Sequence, residues 1–251
     1  MRDILLYFSI IHDGDWQKIY DSIEKKEIAD LQKIEAFKKD INCAYVTIID
    51  PHYPKALKNC FYPPYVLFYR GDIQLLDSSK KVGIVGSRNH SEYGTIMAEQ
   101  LTKELVQSNH VVVSGAAKGI DIIAQKTCLQ QGGKTIAVIG NGLNHYYPAE
   151  NKNYIKAIEE QGLVVSEYPP NALPRRSNFP NRNRIIAALS EAIIVVEAQQ
   201  KSGTLITVKH ALEMGKEIYC VPYRATEKSM CNELIKQGAQ MIESIDDFKL
   251  L

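Results

Sequence analysis

The chain has 251 residues, 45% apolar and 24% charged, with 30 basic and 29 acidic side chains and a formal net charge of +1. That composition supplies ample apolar material for a core and excludes a disordered polyampholyte, while no apolar run approaches the roughly 20 residues of a membrane span. The five cysteines (43, 60, 128, 220, 231) form no Cys-x-x-Cys pair, and MRDILLYFSIIHDGDW lacks a basic n-region and a cleavage site. Reduced thiols, no metal site and a cytoplasmic location are therefore expected.

In chain order, residues 1–40 carry apolar side chains at helical spacing (Trp16, Ile19, Tyr20, Ile23, then Leu31 and Ile34) around the break HDGD, which predicts a short helical segment ahead of a core spanning 41–251. AYVTIID and YVLFYRG read as strands joined by the proline-punctuated PHYPKALKNCFYPP. Strands centred on Ile84, Val112, Ala137, Val164, Val195, Tyr219 and Met241 then alternate with helices over 92–108, 119–131, 150–161, 181–190, 203–214 and 229–237. Such alternation predicts an α/β, doubly wound, mostly parallel sheet. The continuous apolar runs HVVVSG, TIAVIG and AIIVVEA fit strands buried on both faces.

Ligands of open α/β sheets sit beyond the carboxyl ends of the strands. Here those ends are GSRN, SGAAKG, GNGLN, SEYPP and EAQQKSGT, all loops of small and polar residues whose backbone amides suit phosphate. The first turn, VGIVGSRNHSEYG, is neither of the familiar nucleotide turns: Gly86 is followed by Ser87 and Arg88 where Gly-x-Gly-x-x-Gly needs small residues, and no Gly-Lys-Ser/Thr opens the helix. No acid closes the next strand to hold a ribose, which disfavours a dinucleotide.

Each candidate has a functional and a structural reading. Ser87 and Arg88 suit a phosphate, or Arg88 pairs with a structural carboxylate or caps a neighbouring strand. In SGAAKGID, Ser114, Gly115 and Lys118 face the crevice or merely make a turn, and Asp121 complements the helix dipole. The stretch PPNALPRRSNFPNRNRIIAALS holds four arginines and no acid. Within it Arg182 and Arg184 point in different directions, one toward the crevice and one bracing the fold, and Arg175 and Arg176 suit a solvated rim. Phe179 is a platform for an unstacked base or a hydrophobic staple. Lys201, Ser202, Gly203 and Thr204 suit an anion at a helix start, or Ser202 is a plain cap. Tyr146, Tyr147 and Pro148 line the crevice or pack beneath it. None of the six histidines has a partner at catalytic spacing, and neither Gly-x-Ser-x-Gly nor His-Glu-x-x-His occurs.

Taken in order, YPKALKNCFYPPYVLFYRG, VGIVGSRNHSEYG, VVSGAAKGID, GGKTIAVIGNGLNHYYPAEN, VVSEYP, FPNRNRII, VVEAQQKSGTLIT and NELIKQGA resemble the DNA-processing protein A (DprA/Smf) family from Tyr53 to Ala239. The resemblance implies an extended Rossmann fold that binds single-stranded DNA, dimerises, protects incoming DNA and helps load the RecA recombinase in natural transformation, without catalysis, cofactor or metal. By the same resemblance, DNA or phosphate contacts fall to Gly86, Ser87, Arg88, Ser114, Gly115, Lys118, Phe179, Arg182, Arg184, Lys201, Ser202, Gly203 and Thr204.

Departures from the family pattern are Gln125 for a usual His, Tyr223 for a Gly after Pro222, and Met230-Cys231 before the Asn-x-Leu-Ile run. The 40 residues ahead of the core are fewer than a SAM-like domain, and the sequence stops at Leu251 with no winged-helix module, so reduced accessory contacts are expected. Two rivals stand: a nucleotide-sensing module, and a phosphoribohydrolase-like enzyme. The enzyme would need an acid after SGT, where the sequence has Leu205, Ile206 and Thr207, and Glu197 is the nearest candidate.

Overall fold

The computed structural model describes residues 1–248, so the last three residues of the predicted 41–251 span lie outside the described residues. Three helices open the chain: α1 (Arg2–Ile11), α2 (Trp16–Glu24) and α3 (Leu31–Asp40). Asp15 and Asp30 cap the second and third by accepting from the Lys18 amide and from those of Gln32 and Lys33. Tyr7, Phe8, Ile19 and Ile34 close a small apolar core between them.

The sheet follows. Its members are β1 (Ala44–Thr47), then, after the short α4 (Lys55–Lys58), β2 (Val66–Gly71) and β3 (Lys81–Gly86). Beyond β3 come α5 (Glu92–Gln107), β4 (Val111–Ser114), α6 (Ile120–Gln130), β5 (Thr135–Val138), α7 (Lys152–Gln161) and β6 (Leu163–Ser166). The last part holds α8 (Asn178–Leu189), β7 (Ala192–Glu197), α9 (Gly203–Glu213), β8 (Glu217–Cys220), α10 (Met230–Lys236) and β9 (Gln240–Met241).

The strands lie in the order β1-β2-β6-β5-β4-β3-β7-β8-β9. All pairings are parallel except β1 with β2 and β2 with β6. The sheet is thus the doubly wound one predicted, widened by an antiparallel hairpin. Along β7, Ile193 and Val195 enter one apolar layer while Ile194 and Val196 enter the opposite one, the period-two alternation of a strand covered on both faces.

Winding runs outward from β3 in both directions, through β4, β5 and β6 on one side and β7, β8 and β9 on the other. The reversal point is where a crevice opens in such sheets. Helix α8 begins at Asn178, three residues before the sequence expectation, because Pro180 falls in its first turn, where a missing N–H costs nothing. Among the described residues no helix is long and apolar enough to cross a membrane.

Candidate functional site

A cavity of about 620 Å³ lies at the reversal point, and a smaller one of about 270 Å³ adjoins it; Arg88, Ala117, Tyr147, Phe179 and Arg182 border both. The floor is built by backbone. Gly86 ends β3 against Ile120, and Gly119, at φ +88°, brings the start of α6 onto the Ser87–Arg88 backbone. The Ser87 hydroxyl donates to the Asn89 carbonyl at 2.9 Å and accepts from the Asn89 amide at 3.2 Å. Ser87 therefore shapes the turn, and its neighbour Arg88 is left exposed.

Arg88 makes no ion pair with any described residue. Its guanidinium stands 5.9 Å from the centre of the Phe179 ring, which in turn lies 5.4 Å from that of Tyr147, at 31° to it. Phe179 rests on Gly140, where a Cβ would come within 2.9 Å of the ring. The ring is therefore part of the crevice wall, with one cation and one aromatic beside it.

Arg182 has a different office. It is 3% exposed and donates to the carbonyls of Gly115 (2.6 Å) and Val138, and to Asn183 Oδ1 at 3.1 Å. Buried Asp121 faces it, accepting from the Gly115 amide at 3.1 Å. Burial raises the Asp121 carboxyl, a shift that the Arg182 charge and the Gly115 and Gly86 amides oppose. Burial also lowers Arg182 to about 10, against the pull of Asp121, and Arg88 adds a repulsion in the same direction as burial. Arg182 remains cationic at neutral pH. It ties the ends of β4 and β5 to α8 and puts buried positive charge under the crevice floor.

The third side comes from α9. Ser202 is its N-cap residue but makes no capping bond, and its buried Oγ has no partner among the described residues. Asn183 donates to the Gly203 carbonyl at 3.2 Å, fixing this helix start to α8. Ser202, Gly203 and Thr204 all line the larger cavity, as does Arg176. Lys118 lines the smaller one, 4.0 Å from Glu150.

Three of the expected contact residues are not in the crevice. Arg184 is buried and its fork is committed to Glu167, at 2.7 and 2.5 Å, with further bonds to the carbonyls of Tyr62 and Asn181. Burial opposes its charge, yet Glu167 outweighs burial and holds it above the ordinary arginine value. Ser114 is fully buried and donates to the Ile84 carbonyl at 2.6 Å, joining β4 to β3. Lys201, exposed at φ +58°, borders neither cavity. Arg176, expected on a solvated rim, lines the larger cavity, and so do Asp121, expected only to complement the helix dipole, and Asn183, for which the sequence offers no signal; for Arg176 the signal is the acid-free arginine run.

The departures in sequence are absorbed locally. Gln125 accepts from the Ala116 amide at 3.1 Å and donates to Thr135 Oγ1 and the Ile136 carbonyl, so every polar atom of its amide group is used. Tyr223 OH donates to Glu197 at 3.1 Å. Glu197 also accepts from the Ser91 amide and hydroxyl, at 2.8 and 2.7 Å, so this carboxylate braces the start of α5 and lines neither cavity.

Residues 44–250 match the family model described as DNA recombination-mediator protein A. The DNA processing protein DprA of Bacillus subtilis is 42% identical over 80% of this chain and 69% of its own length, and that of Streptococcus pneumoniae is 42% identical over 80% and 71%. Protein Smf of Synechocystis is 42% identical over 81% of this chain, which spans about half (52%) of that relative. The X-ray structure of the Streptococcus pneumoniae protein superposes with a TM-score of 0.82 at 37% identity, covering 92% of this chain and 78% of that one. A Helicobacter pylori DNA processing protein A, solved for its single-stranded DNA binding mode, superposes at 0.75 with 36% identity, covering 82% and 94%. Family model, relatives and fold agree, and the chain belongs to the DNA recombination-mediator protein A family of DNA-processing proteins.

Proposed function

We propose that this protein binds single-stranded DNA in the crevice at the β3/β7 reversal, as a homodimer, protecting DNA that enters the cytoplasm and helping to load a RecA recombinase onto it during transformation, with no catalysis of its own. The observation that carries this reading is the pairing of Arg88, a cation in no ion pair with the described residues, with the Phe179–Tyr147 wall. A cation for phosphate beside aromatic faces for bases is the combination that single-strand binders use. The Helicobacter pylori relative, 36% identical and described for its single-stranded DNA binding mode, supports the same assignment. The non-catalytic reading is supported by Glu197, whose carboxylate is engaged by Ser91 and Tyr223.

Fluorescence anisotropy with labelled oligo-dT tests the proposal. A charge-assisted contact of about 1.5–3 kcal/mol corresponds to roughly a 10- to 150-fold loss of affinity in Arg88→Ala. Wild-type binding should weaken with salt by about 0.7 per phosphate contacted on a log–log plot. Displacement of oligo-dT by low concentrations of a mononucleotide would instead make the crevice a small-ligand sensor. A sedimentation mass of one chain at micromolar concentration would remove the homodimer.

A further inference from the structure

Outside the crevice, α7 carries cation–aromatic contacts on two flanks, one with Tyr146 and one toward α6, because Tyr154 stands two residues from both Lys152 and Lys156. Lys152 and Lys156, one turn apart on α7, both stand 5.7 Å from the Tyr146 ring, and Lys126 on α6 stands 5.5 Å from that of Tyr154. All three lysines are exposed, and none makes an ion pair with a described residue. Tyr154 is 37% exposed. The carboxylates nearby are partly engaged elsewhere: Glu159 pairs with Arg70 and accepts from Tyr146, and Glu150 faces Lys118, leaving Glu160 exposed near the end of α7.

Two residues adjacent in the chain connect this group to the crevice. Tyr147 is tilted against Phe179 in the crevice wall, while its neighbour Tyr146 lies beneath Lys152 and Lys156. Tyr147, Pro148 and Lys118 border the smaller cavity together with Glu150, which Lys152 follows by two residues in the chain. Unpaired lysines spaced over rings offer what an extended polyanion with stackable bases requires: point charges for phosphates and flat apolar surface for bases. A compact ligand would not reach from one place to the other.

We propose that the single strand held in the crevice continues over the α6–α7 face, its phosphates on Lys126, Lys152 and Lys156 and a base against Tyr154. The inference rests on the crevice reading above and adds the direction in which the strand runs. The test compares an oligo-dT of about 5 nucleotides with one of about 16, spanning the usual range of single-strand site sizes. In the triple variant Lys126→Gln/Lys152→Gln/Lys156→Gln, affinity for the long oligomer should fall about tenfold at low salt, and its salt slope should become shallower by about 2. Affinity for the short oligomer should stay at the wild-type value. Tyr154→Leu, which leaves charge unchanged, should weaken the long oligomer alone.

Arg88→Ala separates the two readings, because it should lose both lengths. If Arg88→Ala loses both while the triple variant and Tyr154→Leu match wild type in affinity and slope, the path is overturned and the crevice stands. If Arg88→Ala binds both lengths as wild type does, the crevice reading fails and takes the path with it.

Discussion

Arg184→Ala is the substitution that best separates folding from binding, since Arg184 stands two residues from Arg182 in the same arginine run yet faces a different environment. Its guanidinium and the Glu167 carboxylate are both about 5% exposed and joined by two short bonds. Removing the cation leaves Glu167 buried without its counter-charge, a change that costs about 3–5 kcal/mol. The Tyr62 and Asn181 carbonyls lose a donor as well. For a chain of this size, roughly 2–4 °C per kcal/mol converts that range to a fall in Tm of roughly 6–20 °C. Urea denaturation measures the free energy directly. The double variant Arg184→Met/Glu167→Leu removes both charges and should recover most of the loss, because apolar replacements of buried pairs are often neutral. Folded Arg184→Ala should keep its affinity for oligo-dT, in contrast to Arg88→Ala, which should keep its stability and lose its affinity. A loss below about 1 kcal/mol in Arg184→Ala, or a tenfold loss of DNA affinity at unchanged stability, would refute the structural assignment.

Phe179→Ala should weaken oligo-dT by about 1–3 kcal/mol, read as a 5- to 150-fold change in anisotropy titrations. Gly119→Ala should destabilise the fold by at least about 1 kcal/mol and weaken DNA binding, because the residue sits at φ +88° and an added Cβ would strike the Ser87 carbonyl beside Arg88; unchanged melting and binding would show that the turn can move. Stability should decline as pH falls below about 6.5. Burial, assisted by the Lys80 charge, lowers the His110 imidazole from its ordinary 6.5, so the unfolded chain takes up a proton that the folded chain refuses, and the stability present above 6.5 is lost on acidification. His110→Gln should flatten that part of the urea midpoint against pH, and an identical slope in the variant would refute the role of His110.

The parallel sheet was legible because buried strands write themselves as unbroken apolar runs and helices as periodic ones, as in AIIVVEA followed by the segment from Gly203, whereas the strand order that puts the reversal at β3 was not. The turn Gly86-Ser87-Arg88 was legible for the same local reason. Two further kinds of information were not. A buried charge is explained by a partner that the local pattern does not reveal: Arg184 and Arg182 look alike in FPNRNRII, and only the end of β6 supplies Glu167 to one while α6 supplies Asp121 to the other. Hydroxyl roles were equally hidden. Ser87, Ser114 and Ser202 all stand at strand or helix ends, yet one bonds its own turn, one bonds the neighbouring strand, and one has a buried oxygen without a partner among the described residues.

Because winding runs outward from β3 on both sides, the crevice walls come from segments far apart in the chain: the turn at Arg88, the loop at Gly115, the start of α8 at Phe179 and the start of α9 at Ser202. No contiguous stretch carries the site. Closing it requires both wings of the sheet to dock, so the binding-competent state and the native state are one thermodynamic species. A ligand held there acts as a clasp on the whole fold, adding about 2.7 kcal/mol of stability at a hundred times its Kd. If the crevice holds DNA as proposed above, opening of either wing releases the clasp, and the bound fraction of a given variant falls with its folded fraction.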